Sequence, residues 1–146
     1  MSVSVAKGRS NARKKATQAL YQWHMSGNDI VEIETQFHQE QNMEKVDTDY
    51  FHTLLHEVPA QVTELDKLIA KYSNRKEDEL DPVEQSILRL STYEIKNRID
   101  IPYKVVISEA ITLAKMFASD KSHAFVNSVL DKLAKELRKI EVDQSK

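Results

Sequence analysis

The sequence predicts an all-α protein, a compact bundle of six or seven helices. Three observations predict it. Only two Gly and three Pro occur in 146 residues, too few for the tight turns that hairpins need. Apolar residues recur at three- and four-residue steps along most of the chain. No stretch alternates apolar and polar residues as a half-buried strand would. The length suits one domain, read as spanning residues 1–146, with a basic extension at 1–10 and a frayed tail at 141–146.

The first helix is predicted to start at Ser10 or Asn11, either a suitable N-cap, and to end at Gly27-Asn28. Ala12, Ala16, Ala19, Leu20 and Trp23 form its apolar stripe, with Arg13, Lys14, Gln18 and Tyr21 off the centre. Asp29 and Glu32 fit a capping box for a second helix burying Ile30, Ile33 and Phe37. Residues 39–46 read as a polar loop. Asp47 or Thr48 then caps a helix with Phe51, Leu54, Leu55 and Val58 inward, which Pro59 ends or kinks. Val62, Leu65, Leu68 and Ile69 mark a fourth helix ending near Tyr72, followed by a charged connector. Asp81-Pro82-Val83-Glu84 is the clearest start signal: a cap, a first-turn Pro and a Glu three residues on. Its helix carries Val83, Ile87, Leu88 and Leu90 and breaks before Pro102. Val106, Ile107, Ala110, Leu113, Ala114 and Phe117 define the next. Asp120 is expected to cap a last helix with Val126, Val129, Leu130, Leu133, Leu137 and Ile140 inward.

Composition excludes several classes. There is no cysteine, so disulfides and thiolate metal sites are absent. That fits a reducing cytoplasm, the expected location. No apolar run is long enough for a membrane span or a signal-peptide core. No G-x-S-x-G elbow, P-loop or G-x-G-x-x-G occurs, and the chain is read as a non-enzyme without cofactor. Asp120, Ser122 and His123 are neighbours in sequence, whereas triads are assembled from distant segments. His52 and His56 have metal-ligand spacing, but Thr53 stands where a zinc protease needs Glu, and no Cys or third His is near. They are read as an ordinary surface pair, with no metal expected.

The net charge of −2 conceals an asymmetry. Residues 1–15 hold Lys7, Arg9, Arg13, Lys14 and Lys15 and no acid, while residues 29–49 hold seven acids against Lys45. Basic groups at a helix N-terminus oppose the macrodipole, so helix stability does not ask for them. Gln18 and Tyr21 follow within two turns. Cations for phosphates, with hydrogen-bonding groups and rings for bases, suit single-stranded RNA; a merely solvated terminus is the alternative. Trp23, Phe37, Phe51 and Phe117 are expected in the core. Tyr21, Tyr72 and Phe125 lie at stripe edges or helix ends, with the Phe125 ring partly exposed.

Several stretches resemble the NusB family of bacterial transcription antitermination factors. They are Ala16-Thr17-Gln18-Ala19-Leu20-Tyr21-Gln22-Trp23, the run from Leu80 to Leu90, Tyr93-Glu94-Ile95, the run from Ile101 to Ala110, and the run from Ser122 to Asp131. The resemblance covers about residues 9–135. It implies two packed helical subdomains, binding of boxA-like single-stranded RNA, and a heterodimer with the ribosomal protein NusE. Other Nus factors and RNA polymerase are then indirect partners. Termination would be suppressed during ribosomal RNA synthesis, with no catalysis. Arg9 and Arg13 match the family's arginine-rich start, and Asn11 stands where arginine is common. Lys14 and Lys15 fall at positions often not basic. Gln18, Tyr21, Tyr72, Arg75, Arg89 and Phe125 match the RNA-facing side, and Glu84 matches a position of the NusE contact. Lys121 replaces a frequent acid, which favours RNA, and Ser128 replaces a usual glycine at an expected helix contact. Rival readings are a helical protein–protein adaptor without RNA, and an RNA-binding module acting with a ribosomal RNA methyltransferase. A homodimer of the free protein is left open.

Overall fold

The computed structural model describes residues 3–145. Among them are eight α-helices, one 3₁₀ turn and no strand, so the all-α class holds. The chain forms two compact units, Met1–Ala60 and Gln61–Lys146.

The first unit contains α1 (Val5–Ser26), α2 (Ile30–Glu40) and α3 (Thr48–Ala60). α1 starts earlier than predicted, and much of the expected basic extension is helical. The Ser4 hydroxyl accepts from the Lys7 N–H at 3.1 Å and supplies the cap assigned to Ser10 or Asn11. Gly8 lies inside this first segment, facing the loop before α3. Its carbonyl accepts from the Asp47 N–H at 3.1 Å. Gly27 ends α1 in the left-handed conformation, φ 70°, and its N–H bonds the Trp23 carbonyl. Asp29 caps α2 through the Val31 N–H. α1 packs against α2 and α3, and its small Ala12, Ala16 and Ala19 are fully buried. Ile33, Phe37, Phe51, Leu54, Leu55 and Val58 are buried beside Leu20. Each such large side chain contributes about 1.5–3 kcal/mol on removal from water. Ile30 and Trp23, expected inside, are half-buried. Pro59 sits in the last turn of α3, one residue before the helix ends.

The second unit contains α4 (Val62–Tyr72), a 3₁₀ turn at Glu77–Glu79, α5 (Pro82–Asn97), α6 (Tyr103–Phe117), α7 (Ser122–Leu137) and α8 (Lys139–Gln144). α5 is its central element, packed against α4, α6 and α7. Every residue from Glu84 to Ile95 is buried, so the predicted stripe understates a helix enclosed on all sides. The capping box is present: Asp81 accepts from the Val83 and Glu84 N–H groups, and Glu84 accepts from the Asp81 N–H.

Three expectations fail at the ends of the last helices. Asp120 does not cap α7. The Ser119 carbonyl accepts from the Ser122 N–H, and the two serine hydroxyls lie 3.0 Å apart. Ser122, buried at the first position of α7, is held there by this pairing. The predicted last helix divides at Arg138, leaving Ile140 76% exposed and turning Val142 inward against Tyr103 and Ala134. Residues 141–144, expected to fray, are therefore packed helix. Of the expected tail, Lys146 lies outside the described residues, as do Met1 and Ser2 of the basic extension.

Arg138 is the cause of the division. It is 4% exposed, and its guanidinium donates to the carbonyls of Ile95, Ile101, Glu94 and Arg98 and to Glu141 Oε1. Three of those carbonyls belong to the C-terminal end of α5, where helical acceptors lack partners and a cation is favoured. Glu141 in turn accepts from the Tyr103 N–H at 2.8 Å, capping α6, which has no side-chain cap of its own.

Candidate nucleic-acid interface

The second unit gathers four residues named from sequence. Tyr72, Arg75, Lys121 and Phe125 line one groove of about 340 Å³, together with Lys132 and Ser128. Tyr72 closes α4, Arg75 follows it, Lys121 immediately precedes α7, and Phe125, Ser128 and Lys132 repeat at helical spacing along α7. Lys132 was missed in the sequence, although its position seven residues after Phe125 puts it on the same face. Ser128 is exposed in the groove rather than at a helix contact, so its hydroxyl is available for hydrogen bonding.

The groove is organised by an ion pair. Arg75 Nη1 donates to Glu84 Oε1 at 3.0 Å, and the guanidinium carbon lies 3.9 Å from the Phe125 ring centroid. Phe125 is only 9% exposed, because Arg75 covers the face expected to be open. The groove therefore presents the Arg75 guanidinium, backed by the Phe125 ring, rather than an open phenyl face. Tyr72 is half-buried. Its hydroxyl bonds Glu136, as does Lys71 Nζ at 2.5 Å. That hydrogen bond to Glu136 pushes the Tyr72 phenol up, while Lys71 and then Tyr72 hold the Glu136 carboxyl below its usual value. The phenol stays protonated, and the Glu136 carboxylate is offset by Lys71.

Two residues named through the resemblance, Arg89 for RNA and Glu84 for the NusE contact, are buried. Arg89 is 6% exposed and makes a two-pronged pair with Asp66, both bonds 2.8 Å, tying α5 to α4. It is a structural arginine with its donors committed. Glu84 is 3% exposed and serves the α5 cap and Arg75, so it has no surface to offer a protein partner. Both lie on α5, whose residues from Glu84 to Ile95 are all buried.

In the first unit, Lys14, Gln18 and Tyr21 share one face of α1 at four- and three-residue steps; Gln18 and Tyr21 are exposed. Lys15 is half-buried and donates to Gln41 Oε1 at 2.8 Å. Arg9 and Arg13 both lie over the Tyr50 ring, at 5.3 and 5.5 Å. Arg9 is half-buried, but Arg13 is 3% exposed. Arg13 would have to move to meet a phosphate. Asn11 Nδ2 donates to the Lys45 carbonyl and fastens the loop before α3 to α1.

Fold and site define a class: an all-helical protein whose described residues present basic and aromatic surface, on a helix in one unit and in a groove in the other. The NusB family profile matches residues 10–135. The chain belongs to the NusB family. It is 50% identical to the transcription antitermination protein NusB of Pseudomonas savastanoi pv. phaseolicola over 149 residues, covering 99% of this chain and 90% of that protein. Relatives of this kind are named as antitermination proteins, not as enzymes. The structure of T. maritima NusB superposes with a TM-score of 0.79 at 28% identity, covering 98% of this chain and 99% of that one. A chain from a crystal structure of antitermination factors NusB and NusE in complex with double-stranded RNA matches with a TM-score of 0.78 at 28% identity, covering 87% and 96%. No helix among the described residues is long and apolar enough to cross a membrane.

Proposed function

We propose that this protein is a cytoplasmic antitermination factor that binds boxA-like single-stranded RNA together with the ribosomal protein NusE, and that it suppresses termination during ribosomal RNA transcription. Other Nus factors and RNA polymerase are then reached through that complex. The groove of Tyr72, Arg75, Lys121, Phe125 and Lys132 carries this reading, because it combines cations with a stacking surface. Exposed Gln18 and Tyr21, with Lys14 on the same face of α1, supply a second group of contacts.

A second reading has specific support. The phenyl face of Phe125 is covered by Arg75, and a related complex is described as holding double-stranded RNA. Duplex RNA would be met through phosphates and 2′-hydroxyls, without inserted bases. A mobility-shift titration with single-stranded boxA-like RNA and with the same sequence as a duplex, each with and without NusE, separates the readings. The proposal expects the single strand to bind more tightly and NusE to increase its affinity. Preference for the duplex would favour the second reading. Binding of NusE with no RNA retained would favour a protein–protein adaptor.

A further inference from the structure

We propose that Glu34, His52 and His56 form a binding site for a divalent transition-metal ion of borderline softness, such as Zn²⁺. The sequence offered the two histidines on α3, one turn apart, with no Cys or third His nearby. The fold supplies it from α2. Glu34 Oε2 lies 2.8 Å from His52 Nδ1, and Oε1 lies 2.8 Å from His56 Nε2. One ligand atom from each of the three residues falls within 4.8 Å of the others. The two imidazole rings lie side by side, centroids 4.1 Å apart and tilted by 36°.

This donor set suits the chemistry. Two imidazole nitrogens and one carboxylate oxygen are common ligands for Zn²⁺, and three protein ligands leave a fourth tetrahedral position for water. Imidazole selects against hard ions such as Mg²⁺ and Ca²⁺, which prefer oxygen. The Glu34 side chain is 14% exposed, while those of His56 and His52 are 33% and 60% exposed, so an ion can enter from solvent on the histidine side. Burial pushes the Glu34 carboxyl up, but its bonds with His56 and His52 outweigh this and hold it below its usual value, leaving an anionic ligand. Without metal, the nitrogens facing Glu34 are suited to donating to the carboxylate. To bind metal, a neutral ring moves its proton to the far nitrogen, and a charged ring releases one to solvent. The ion would tie α2 to α3 inside the first unit.

Titration of the full chain with Zn²⁺ by calorimetry, and with Co²⁺ followed by visible absorption, tests the site. The expected result is one ion per chain, with a Co²⁺ band typical of a tetrahedral nitrogen–oxygen set. His56→Ala and Glu34→Gln should each weaken binding at least about tenfold, as loss of a ligand should cost no less than loss of its supporting shell. His52→Ala, at the most exposed of the three side chains, should do the same with an unchanged circular dichroism spectrum. His24→Ala and His123→Ala should bind as the parent does. The proposal is overturned if no ion binds, or if binding persists undiminished when His52 is replaced.

Discussion

At the scale of single residues, the arginines divide by what holds them. Arg138 and Arg89 are interior groups with their donors committed, whereas Arg75 belongs to the groove. Replacing Arg138 by Met strips a donor from the carbonyls of Glu94, Ile95, Arg98 and Ile101 in a buried setting. We expect a loss on the order of 3 kcal/mol in urea unfolding, because buried acceptors lose their partner. Arg75→Lys tests the groove differently. It retains charge but loses the plane that lies on Phe125, and lysine does not reproduce a stacked guanidinium. RNA affinity should fall by about tenfold, near the lower end of one base-stacking contribution. An unchanged affinity in filter binding would mean that Arg75 contributes charge alone.

At the scale of elements, helix ends govern what the second unit presents. The α5 capping box also holds Arg75, since Glu84 accepts from both the Asp81 N–H and the guanidinium. A device that starts a helix thereby positions a groove residue. α8 is held by a comparable arrangement, with Glu141 bonded to Arg138 and to the N-terminus of α6. Burial pushes the Glu141 carboxyl up, yet the Tyr103 N–H and Arg138 outweigh this and keep it below its ordinary value. A depressed folded-state pKa contributes stability that is complete above the unfolded value and lost as pH falls through the folded one. The α8 contacts should therefore weaken only below the ordinary carboxylate range. Protection of the Tyr103 amide, measured against its intrinsic exchange rate at each pH, should fall with acidification in the parent, and Glu141→Gln should reduce that pH dependence.

At the scale of the whole molecule, a chain of net charge −2 is proposed to bind a polyanion, so local charge must outweigh the total. The cations of the groove belong to the second unit, whereas the acid-rich stretch between residues 29 and 49 lies in the first, bonded to α1 through Asp47 and Lys45. Neutralising about four to six phosphates of a single strand predicts a log–log salt slope of roughly −3 to −4. Replacing Lys121 and Lys132 together should make that slope shallower by about one to one and a half. A slope indifferent to both lysines would place the phosphates elsewhere.

The sequence by itself determined the helical class, most helix boundaries and the family. These depend on local spacing, on caps such as Asp81 and Gly27, and on contiguous motifs. Through the family resemblance it also named four residues that line the groove, Tyr72, Arg75, Lys121 and Phe125. Tertiary structure decided which charged side chains remain accessible. Arg13, Glu84 and Arg89 resembled surface groups because periodicity describes one helix at a time, while burial depends on how many neighbours enclose it. Arg138 and Glu34 carried no signal for the same reason. Their partners are carbonyls and histidines on other elements, and only folding brings those atoms within bonding distance.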